Sequence, residues 1–320
     1  MIHPIFKRII IFSSTVLISL LLVEMGLRVL SHIRQNYDVE MWRYANNLKI
    51  TVNDGRSHIH TVSTNAHIMG KDVTLNSKGL RDREFPYEKP NNTYRIVSIG
   101  DSYTFGFGAD QDKTFSKILE KRLNEQHSGK TYEILNMGVG NYNAIQELAS
   151  LKLEGIKYHP DHILWNFYIN DAEETQKLKP SFISTKLISM VYLKSFIYKM
   201  KASLNSKSNY VDFYKSTFQG ESGARFIKTM DQLVELSQSQ HIPLTVVLLP
   251  DFRRLQNYPF AQEHLLVVNY FKSKGINVID TVEAFDPQKE KEYWVAHDDP
   301  HPNDGAHEII AQKIFQGFKL

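Results

Sequence analysis

Strand-like and helix-like segments alternate along the chain from about residue 92 to its end. Five short runs rich in branched apolar residues predict strands, and the amphipathic segments between them predict helices. The strands are continuous apolar runs, which is typical of a parallel sheet covered by helices on both faces. The pattern therefore predicts a three-layer α/β fold. The predicted strands are 95–99, 132–136, 162–168, 243–249 and 277–279, and the predicted helices lie near 114–126, 144–153, 226–238, 262–272 and 307–315.

The first thirty residues have the pattern of a membrane anchor. Lys7 and Arg8 precede residues 9–23, which carry no charge, and apolar positions continue to residue 30. No small-x-small cleavage pattern follows, so we expect an uncleaved signal anchor or transmembrane helix, with a removed signal peptide or a core helix as alternatives. Glu24 and Arg28 are four residues apart and can pair on a helix at the membrane interface. Basic residues on both sides leave the orientation undecided.

The rest of the chain is predicted to have two parts. Residues 31–91 are mixed and polar, as in a stalk with an irregular N-terminal extension, and residues 92–320 carry the predicted sheet. The connection at about 172–225 is too long for an ordinary loop and is interpreted as an insertion. Its residues 177–215 hold eight lysines and one acid, Asp212, whereas the net charge of the whole chain is only +3. We expect an amphipathic helix with a solvated basic face, or alternatively a lid that contacts anionic lipid or polysaccharide.

Composition excludes several classes of protein. The chain has no cysteine, which excludes a disulfide scaffold, a thiolate zinc site, a cysteine nucleophile and a lipoprotein anchor. Its 42% hydrophobic and 23% charged residues exclude a disordered or low-complexity chain. A net charge of +3 is too small to indicate nucleic acid, so no nucleic-acid partner is expected.

Polar residues and glycines directly follow three of the predicted strands, and an Asp/His group precedes the last helix. Each of these alone could be a helix cap or a turn. Because ligands of parallel sheets bind beyond the carboxyl ends of the strands, we expect these groups to meet at one edge. The groups are Gly100, Asp101 and Ser102, the turn at 136–143, Asn170 and Asp171, and residues 297–303.

These blocks, in this order, resemble the SGNH or GDSL hydrolase family over about residues 92–318. The matching motifs are Gly100-Asp101-Ser102, Asn170-Asp171 and Asp298-x-x-His301. The resemblance implies a flavodoxin-like parallel sheet and a serine esterase or acyltransferase site without metal or cofactor. This chain has Tyr168 where the family often has glycine, a position that shapes the pocket wall.

Further motifs are similar to those of membrane-anchored bacterial members of the family. They are the N-terminal anchor with Glu24-x-x-x-Arg28 and the stretch Asn76-x-x-Gly79-Leu80-Arg81. This likeness implies a single-pass protein of the bacterial inner membrane, with its catalytic domain on the periplasmic side.

Residue chemistry suggests a role for each group. Ser102 needs a base to become a nucleophile, and the pKa of an ordinary histidine suits His301 to that task. Asp298 can accept a hydrogen bond from the second imidazole nitrogen and stabilise the imidazolium. The oxyanion donors are expected to be the N–H of Ser102, the side-chain amide of Asn170 and one further backbone N–H. Spacing leaves Gly140 and Asn141 as alternatives for that further donor.

A metal site is the competing interpretation of the last block. It would use His297, Asp298, Asp299, His301 and His307. Pro300 and Pro302 restrict this segment, and a metal leaves the serine and asparagine blocks unexplained, so no metal is expected. Asp299 is then interpreted as a capping or surface carboxylate, and Asp101 as a structural support of the serine turn.

The sequence therefore predicts a membrane-anchored serine esterase or O-acyltransferase. Its expected substrates are O-acetyl groups of envelope carbohydrate or another small ester. A lipid esterase or thioesterase with the same triad is one alternative. A membrane-tethered module that binds glycan without catalysis is the other.

Overall fold

The computed structural model describes residues 3–126, 129–175, 186–204 and 210–319. The chain divides into two compact units. One comprises Met1–Asn46 with Lys179–Lys207, and the other comprises Asn47–Leu178 with Ser208–Leu320. Residues 47–91 are thus grouped with the sheet, whereas the sequence analysis joins them to residues 31–46. The division at residues 30 and 91 and the insertion at 172–225 stay predictions.

The larger unit contains a parallel sheet, which confirms the predicted α/β fold. The strands of the described residues are β1 Lys49–Thr51, β2 His58–His60, β3 Thr64–Ile68, β4 Lys71–Leu75, β5 Thr93–Ile99, β6 Thr131–Asn136, β7 His162–Phe167, β8 Leu244–Leu248, β9 Asn277–Asp280, β10 Trp294–Ala296 and β11 Asp299–Pro302. The parallel sheet has five strands in the order β6-β5-β7-β8-β9. The antiparallel pairs β1–β2, β3–β4 and β10–β11 lie outside it.

Apolar side chains cover both faces of the sheet. Successive residues of a strand point to opposite faces. In β7, Ile163 and Trp165 accordingly belong to one hydrophobic cluster, and Leu164 belongs to the other. Every residue of β7 is buried, as expected for a central parallel strand. The helices are α1 Pro4–Ile33, α2 Tyr37–Leu48, α3 Ser102–Phe105, α4 Phe115–Gln126, α5 Ala144–Leu153, α6 Ile188–Leu204, α7 Tyr210–Thr217, α8 Gly220–Ser239, α9 Ala261–Ser273 and α10 Asp304–Gly317.

The smaller unit is built on α1. Of the helices in the described part of the chain, α1 alone is long and apolar enough to cross a membrane, and a signal sequence has the same properties. The expected pair is present, because Arg28 Nε donates to Glu24 Oε1 over 2.8 Å. Glu24 also accepts hydrogen bonds from the backbone N–H groups of Ile188 (3.1 Å) and Ser189 (2.9 Å). Glu24 therefore caps the first turn of α6, whose opening N–H groups have no partner within the helix.

The basic segment predicted at 177–215 is described in part. Residues 177–185 and 205–209 lie outside the described residues. Along α6, Leu193, Phe196, Ile197 and Met200 are exposed and follow the three- and four-residue spacing of one helix face. Lysines at 194, 199 and 201 are also exposed. The exposed surface of α6 is therefore apolar as well as basic.

Candidate active site

Ser102 lies in a tight turn at the carboxyl end of strand β5, which is paired with β6 on one side and β7 on the other. Asp101 caps the four-residue helix α3, because its Oδ1 accepts a hydrogen bond from the N–H of Tyr103 over 2.9 Å. The helix ends at Gly106, whose φ of +78° is in the left-handed region that glycine adopts readily. Ser102 is thereby held at the first position of α3 and is 7% exposed.

His301 is brought directly to this serine. Its Nε2 lies 2.8 Å from Ser102 Oγ. The imidazole contacts two aromatic rings, with ring centroids 5.4 Å from Tyr103 and 5.0 Å from Phe107. The Tyr103 hydroxyl also donates to the carbonyl of Pro300 over 3.3 Å, which ties the histidine segment to α3. The structure thus places the expected serine and histidine within hydrogen-bond distance, the geometry required for general-base activation.

The carboxylate beside His301 belongs to Asp299, which corrects the expectation that Asp298 would occupy this place. Asp299 Oδ1 lies 2.5 Å from His301 Nδ1 and also accepts from the His301 N–H at 3.0 Å. Asp299 is fully buried, whereas Asp298 is exposed. The reason is local structure: residues 299–302 form the extended strand β11, in which residues two apart share a face. Asp299 is therefore neither a surface carboxylate nor a helix cap.

Asn170 is positioned by the residue that precedes the serine. It lies in a short helical turn, Ile169–Ala172, directly after β7. Its Nδ2 donates to Asp101 Oδ2 over 2.9 Å. A side-chain amide carries two N–H groups, so this bond fixes the amide plane and leaves the second N–H for another acceptor. Asp101 thus supports both the serine turn, as expected, and the amide of Asn170.

The loop after β6 packs closely on the serine turn. Asn136 Nδ2 donates to the carbonyl of Thr104 over 2.7 Å, and Asn136 Oδ1 accepts from the N–H of Gly138 at 3.0 Å. A Cβ at position 138 would lie 2.1 Å from the backbone nitrogen of Phe105, so only glycine fits this approach. Asn141 has a φ of +66°, in the left-handed region that asparagine adopts more readily than most residues other than glycine.

Three residues of the segment 47–91 contact these loops, and their roles were not expected from the sequence. Arg81 is 1% exposed, and its guanidinium donates to the carbonyls of Phe105 (3.1 Å), Gly106 (2.5 Å) and Ala109 (2.7 Å). Lys49 and His58 contact the loop at 140–141. Their acceptors are carbonyl groups far away in sequence, which leave no local pattern. Arg81 lies in the Asn76-x-x-Gly79-Leu80-Arg81 stretch, the one signal that pointed to this region.

Buried carboxyl groups lie beneath the site. Glu147 of α5 accepts a hydrogen bond from the indole N–H of Trp165 over 2.6 Å, and burial raises the pKa of its carboxyl to about 8. Asp171 Oδ2 accepts from the N–H of Tyr168 at 3.0 Å. Burial also raises the pKa of Asp171, well above its usual range, and that of Asp101. Ionisation of these groups is disfavoured because little water reaches them.

Tyr168 occupies the position where a pocket wall was expected. Its side chain is 3% exposed, and its ring centroid lies 4.3 Å from that of Tyr103. The ring therefore packs against the aromatic group that also supports His301.

The two buried histidines of the alternative metal cluster, at 301 and 307, have different partners. His301 contacts Ser102, while His307 lies in α10, where its Nδ1 accepts a hydrogen bond from the N–H of Phe115 over 3.2 Å. Burial lowers the pKa of His307 to about 3, so the ring is neutral. Among the described residues, no group of three or more His, Cys, Asp or Glu side chains is arranged to hold a metal ion.

Comparison with known protein families agrees with the observed fold. The model of the GDSL-like lipase/acylhydrolase family matches residues 98–309, and the chain belongs to this family. It is accordingly a hydrolase that acts on ester bonds. A comparison with functionally curated proteins finds no match.

Several solved structures are similar in fold. A lipase from a goat rumen metagenome has 15% identity and a TM-score of 0.49, with 70% of this chain and 97% of that chain covered. An acetyl xylan esterase has 14% identity and a TM-score of 0.48, with coverage of 70% and 100%. A lipolytic G-D-S-L family protein from Veillonella parvula has 15% identity and a TM-score of 0.46, with coverage of 70% and 98%.

Proposed function

We propose that this hydrolase is a serine esterase with Ser102 as the nucleophile, His301 as the general base and Asp299 as the group that orients the histidine. The observation that carries the proposal is the continuous series of contacts from Asp299 Oδ1 to His301 Nδ1 (2.5 Å) and from His301 Nε2 to Ser102 Oγ (2.8 Å). A buried carboxylate on Nδ1 favours the tautomer whose Nε2 is free to accept the serine proton.

The reaction proceeds in two halves. Ser102 Oγ attacks the ester carbonyl while its proton moves to His301 Nε2, and Asp299 stabilises the imidazolium. The N–H of Ser102, the free N–H of Asn170 and a backbone N–H of the 140–141 loop stabilise the oxyanion. When the C–O bond breaks, His301 returns the proton to the leaving alcohol and an acyl-Ser102 ester remains. Water, or a sugar hydroxyl in acyl transfer, then attacks this ester with His301 again as the base.

We propose O-acetyl groups on envelope carbohydrate as the substrates. Ser102 and His301 are each only 7% exposed, and the buried ring of Tyr103 contacts both His301 and the buried ring of Tyr168. Such a site favours a short acyl group, because a long chain would need an apolar channel. Hydrolysis of a lipid ester or thioester is the competing function, and acyl-chain preference distinguishes the two.

We further propose that α1 is retained as a single-pass anchor in the bacterial inner membrane, with the catalytic domain on the periplasmic side. Support comes from Glu24, whose carboxylate caps α6, because removal of α1 would leave those N–H groups without this partner. The exposed apolar and lysine side chains of α6 suit contact with anionic lipid headgroups. An acidic polysaccharide at the same lysines is the alternative partner.

The test uses the full chain in detergent with p-nitrophenyl esters from acetate to octanoate, beside Ser102→Ala. We expect acetate to be preferred and the variant to lose about 10⁴-fold or more in kcat. A preference for octanoate would favour the lipid substrate. Equal activity of Ser102→Ala and wild type would refute the serine mechanism.

A second assay supplies acetylated and acetyl-free oligosaccharides together. Appearance of acetyl groups on the second sugar would show transfer, and release of acetate alone would show hydrolysis. Ester cleavage by neither route, with retained binding of the oligosaccharide, would favour the non-catalytic module.

A further inference from the structure

The carbonyl of Gly140 accepts hydrogen bonds from two side chains of the β1–β2 pair. Lys49 Nζ lies 2.5 Å from this oxygen, and His58 Nε2 lies 3.0 Å from it. The same Nζ also donates to Asn141 Oδ1 over 2.9 Å. Two adjacent residues of the loop are therefore held from one side by the segment that precedes the sheet.

The surroundings of His58 fix its role as a donor. Gln146 Nε2 donates to Ser57 Oγ over 2.6 Å, so the serine proton is directed to His58 Nδ1, 2.9 Å away. The histidine proton then resides on Nε2, which faces the Gly140 carbonyl. Burial lowers the pKa of His58 to about 4, so this neutral form persists at neutral pH.

Because the peptide unit is planar, the hydrogen bonds to the Gly140 carbonyl also orient the N–H group of Asn141. The carbonyl of Gly140 and the N–H of Asn141 belong to the same peptide unit, and the described chain contains no cis peptide bond. In a trans peptide the two groups point in opposite directions. Hydrogen bonds that fix the Gly140 oxygen toward β1–β2 therefore fix the Asn141 N–H away from it.

The Asn141 N–H itself has no protein acceptor among the described residues. Its residue is in the left-handed conformation, which a non-glycine residue adopts only when its surroundings favour it. The contact of Lys49 with Asn141 Oδ1 is such a stabilising interaction.

We propose that Lys49 and His58 are positioning residues that direct the N–H of Asn141 at the oxyanion of the tetrahedral intermediate. This assigns the open third donor to Asn141 rather than Gly140. The inference rests on the proposed serine mechanism and adds two residues of the N-terminal extension to it. Neither side chain exchanges a proton with substrate in this role.

The test compares Lys49→Met, which removes the donor, with Lys49→Gln, which keeps an N–H donor without the charge. Lys121→Met is the matched control, because Lys121 is 76% exposed and lies on the surface of α4. We expect kcat on p-nitrophenyl acetate to fall about 10- to 100-fold in Lys49→Met with KM within about twofold, and Lys49→Gln to recover most of the loss. His58→Gln, which keeps a donor, is expected to be milder than His58→Leu.

A second measurement follows the rate at which a fluorophosphonate labels Ser102, since its tetrahedral adduct needs the same donors. We expect this rate to fall in parallel with kcat. Wild-type kcat and labelling in Lys49→Met would overturn the inference while leaving the serine mechanism intact. A matching fall in Tm, with KM changed as much as kcat, would show a merely structural role and would also overturn it. If wild type neither cleaves esters nor is labelled at Ser102, the proposed function fails first and this inference falls with it.

Discussion

The carboxyl edge of the sheet and the segment 47–91 meet the same loops in different ways. At the sheet edge, side chains contact one another, as Ser102 does His301 and Asp101 does Asn170. From the segment 47–91, side chains contact backbone carbonyls, as Arg81 does at 105–109 and Lys49 does at Gly140. One region supplies reacting groups, and the other fixes the backbone that holds them.

This difference explains why the two regions should respond differently to substitution. A group that reacts can be removed with little effect on folding, and the loss appears in kcat. Arg81 is a buried side chain that satisfies three of these carbonyl groups, and they lose this partner when it is removed, so stability falls as well. The Gly140 carbonyl keeps His58 as a donor when Lys49 is removed, so stability is expected to change little there. Variants in the two regions should therefore separate activity from stability.

The largest effect is expected at the sheet edge, in a comparison of two adjacent aspartates. Asp299→Asn removes the carboxylate that stabilises the imidazolium, and we expect kcat to fall about 10³- to 10⁴-fold with little change in Tm. Asp298→Asn is the matched control and should change kcat by less than about threefold, because Asp298 is exposed. Steady-state hydrolysis of p-nitrophenyl acetate measures both. The reverse order of effects would restore Asp298 as the partner of His301.

A smaller effect, on both stability and kcat, is expected for Arg81→Met in the segment 47–91. Loss of three hydrogen bonds to buried carbonyls should lower the free energy of unfolding by about 2–4 kcal/mol, and kcat should fall with it. Arg225→Met is the control, since Arg225 pairs with the exposed carboxylates of Glu174 and Glu221, and exposed ion pairs contribute about 0–1 kcal/mol. Chemical denaturation in detergent measures both. Equal losses of unfolding free energy in the two variants would contradict the proposed role of Arg81 in fixing the backbone at 105–109.

The smallest effect concerns pH and the buried carboxyl of Glu147. Its pKa is raised by burial to about 8 in the folded protein, whereas a carboxyl of the unfolded chain titrates near 4.5. The folded state keeps a proton that the unfolded state releases, so this contribution to stability is present below about pH 4.5 and is lost as the pH rises to 8. In Glu147→Gln, the fall in unfolding free energy between pH 5 and 8 should shrink by about 1–3 kcal/mol.

Denaturation at both pH values tests this expectation, with Glu125→Gln as the control because Glu125 is 63% exposed. Part of the fall in unfolding free energy should remain in Glu147→Gln, because burial also raises the pKa of Asp101 and Asp171. If the unfolding free energy of Glu147→Gln depended on pH as that of wild type does, a group other than Glu147 would be responsible for the fall.

The sequence was sufficient for the sheet and for most groups at its edge, because strand ends and the residues after them are local patterns. The prediction of Asp298 as the partner of His301 was wrong. It required that residues three apart lie side by side, as they do in a turn or a helix. The segment forms strand β11, in which residues two apart share a face. Lys49, His58 and Arg81 were missed for a different reason: their acceptors are backbone carbonyls 24 to 91 residues away in the chain. Such distant contacts produce no periodic pattern of residues in the sequence.

The hydrogen bonds of Glu24 bear on whether helix α1 could be replaced by another apolar segment. A generic apolar leader of the same length would target the membrane equally well, because targeting depends on length and hydropathy. It would not cap α6, since Ile188 and Ser189 need the carboxylate at this position of α1. Replacing α1 by such a leader would remove a cap from a helix more than 150 residues away in the chain. Helix α1 therefore acts as a specific structural partner within its own protein.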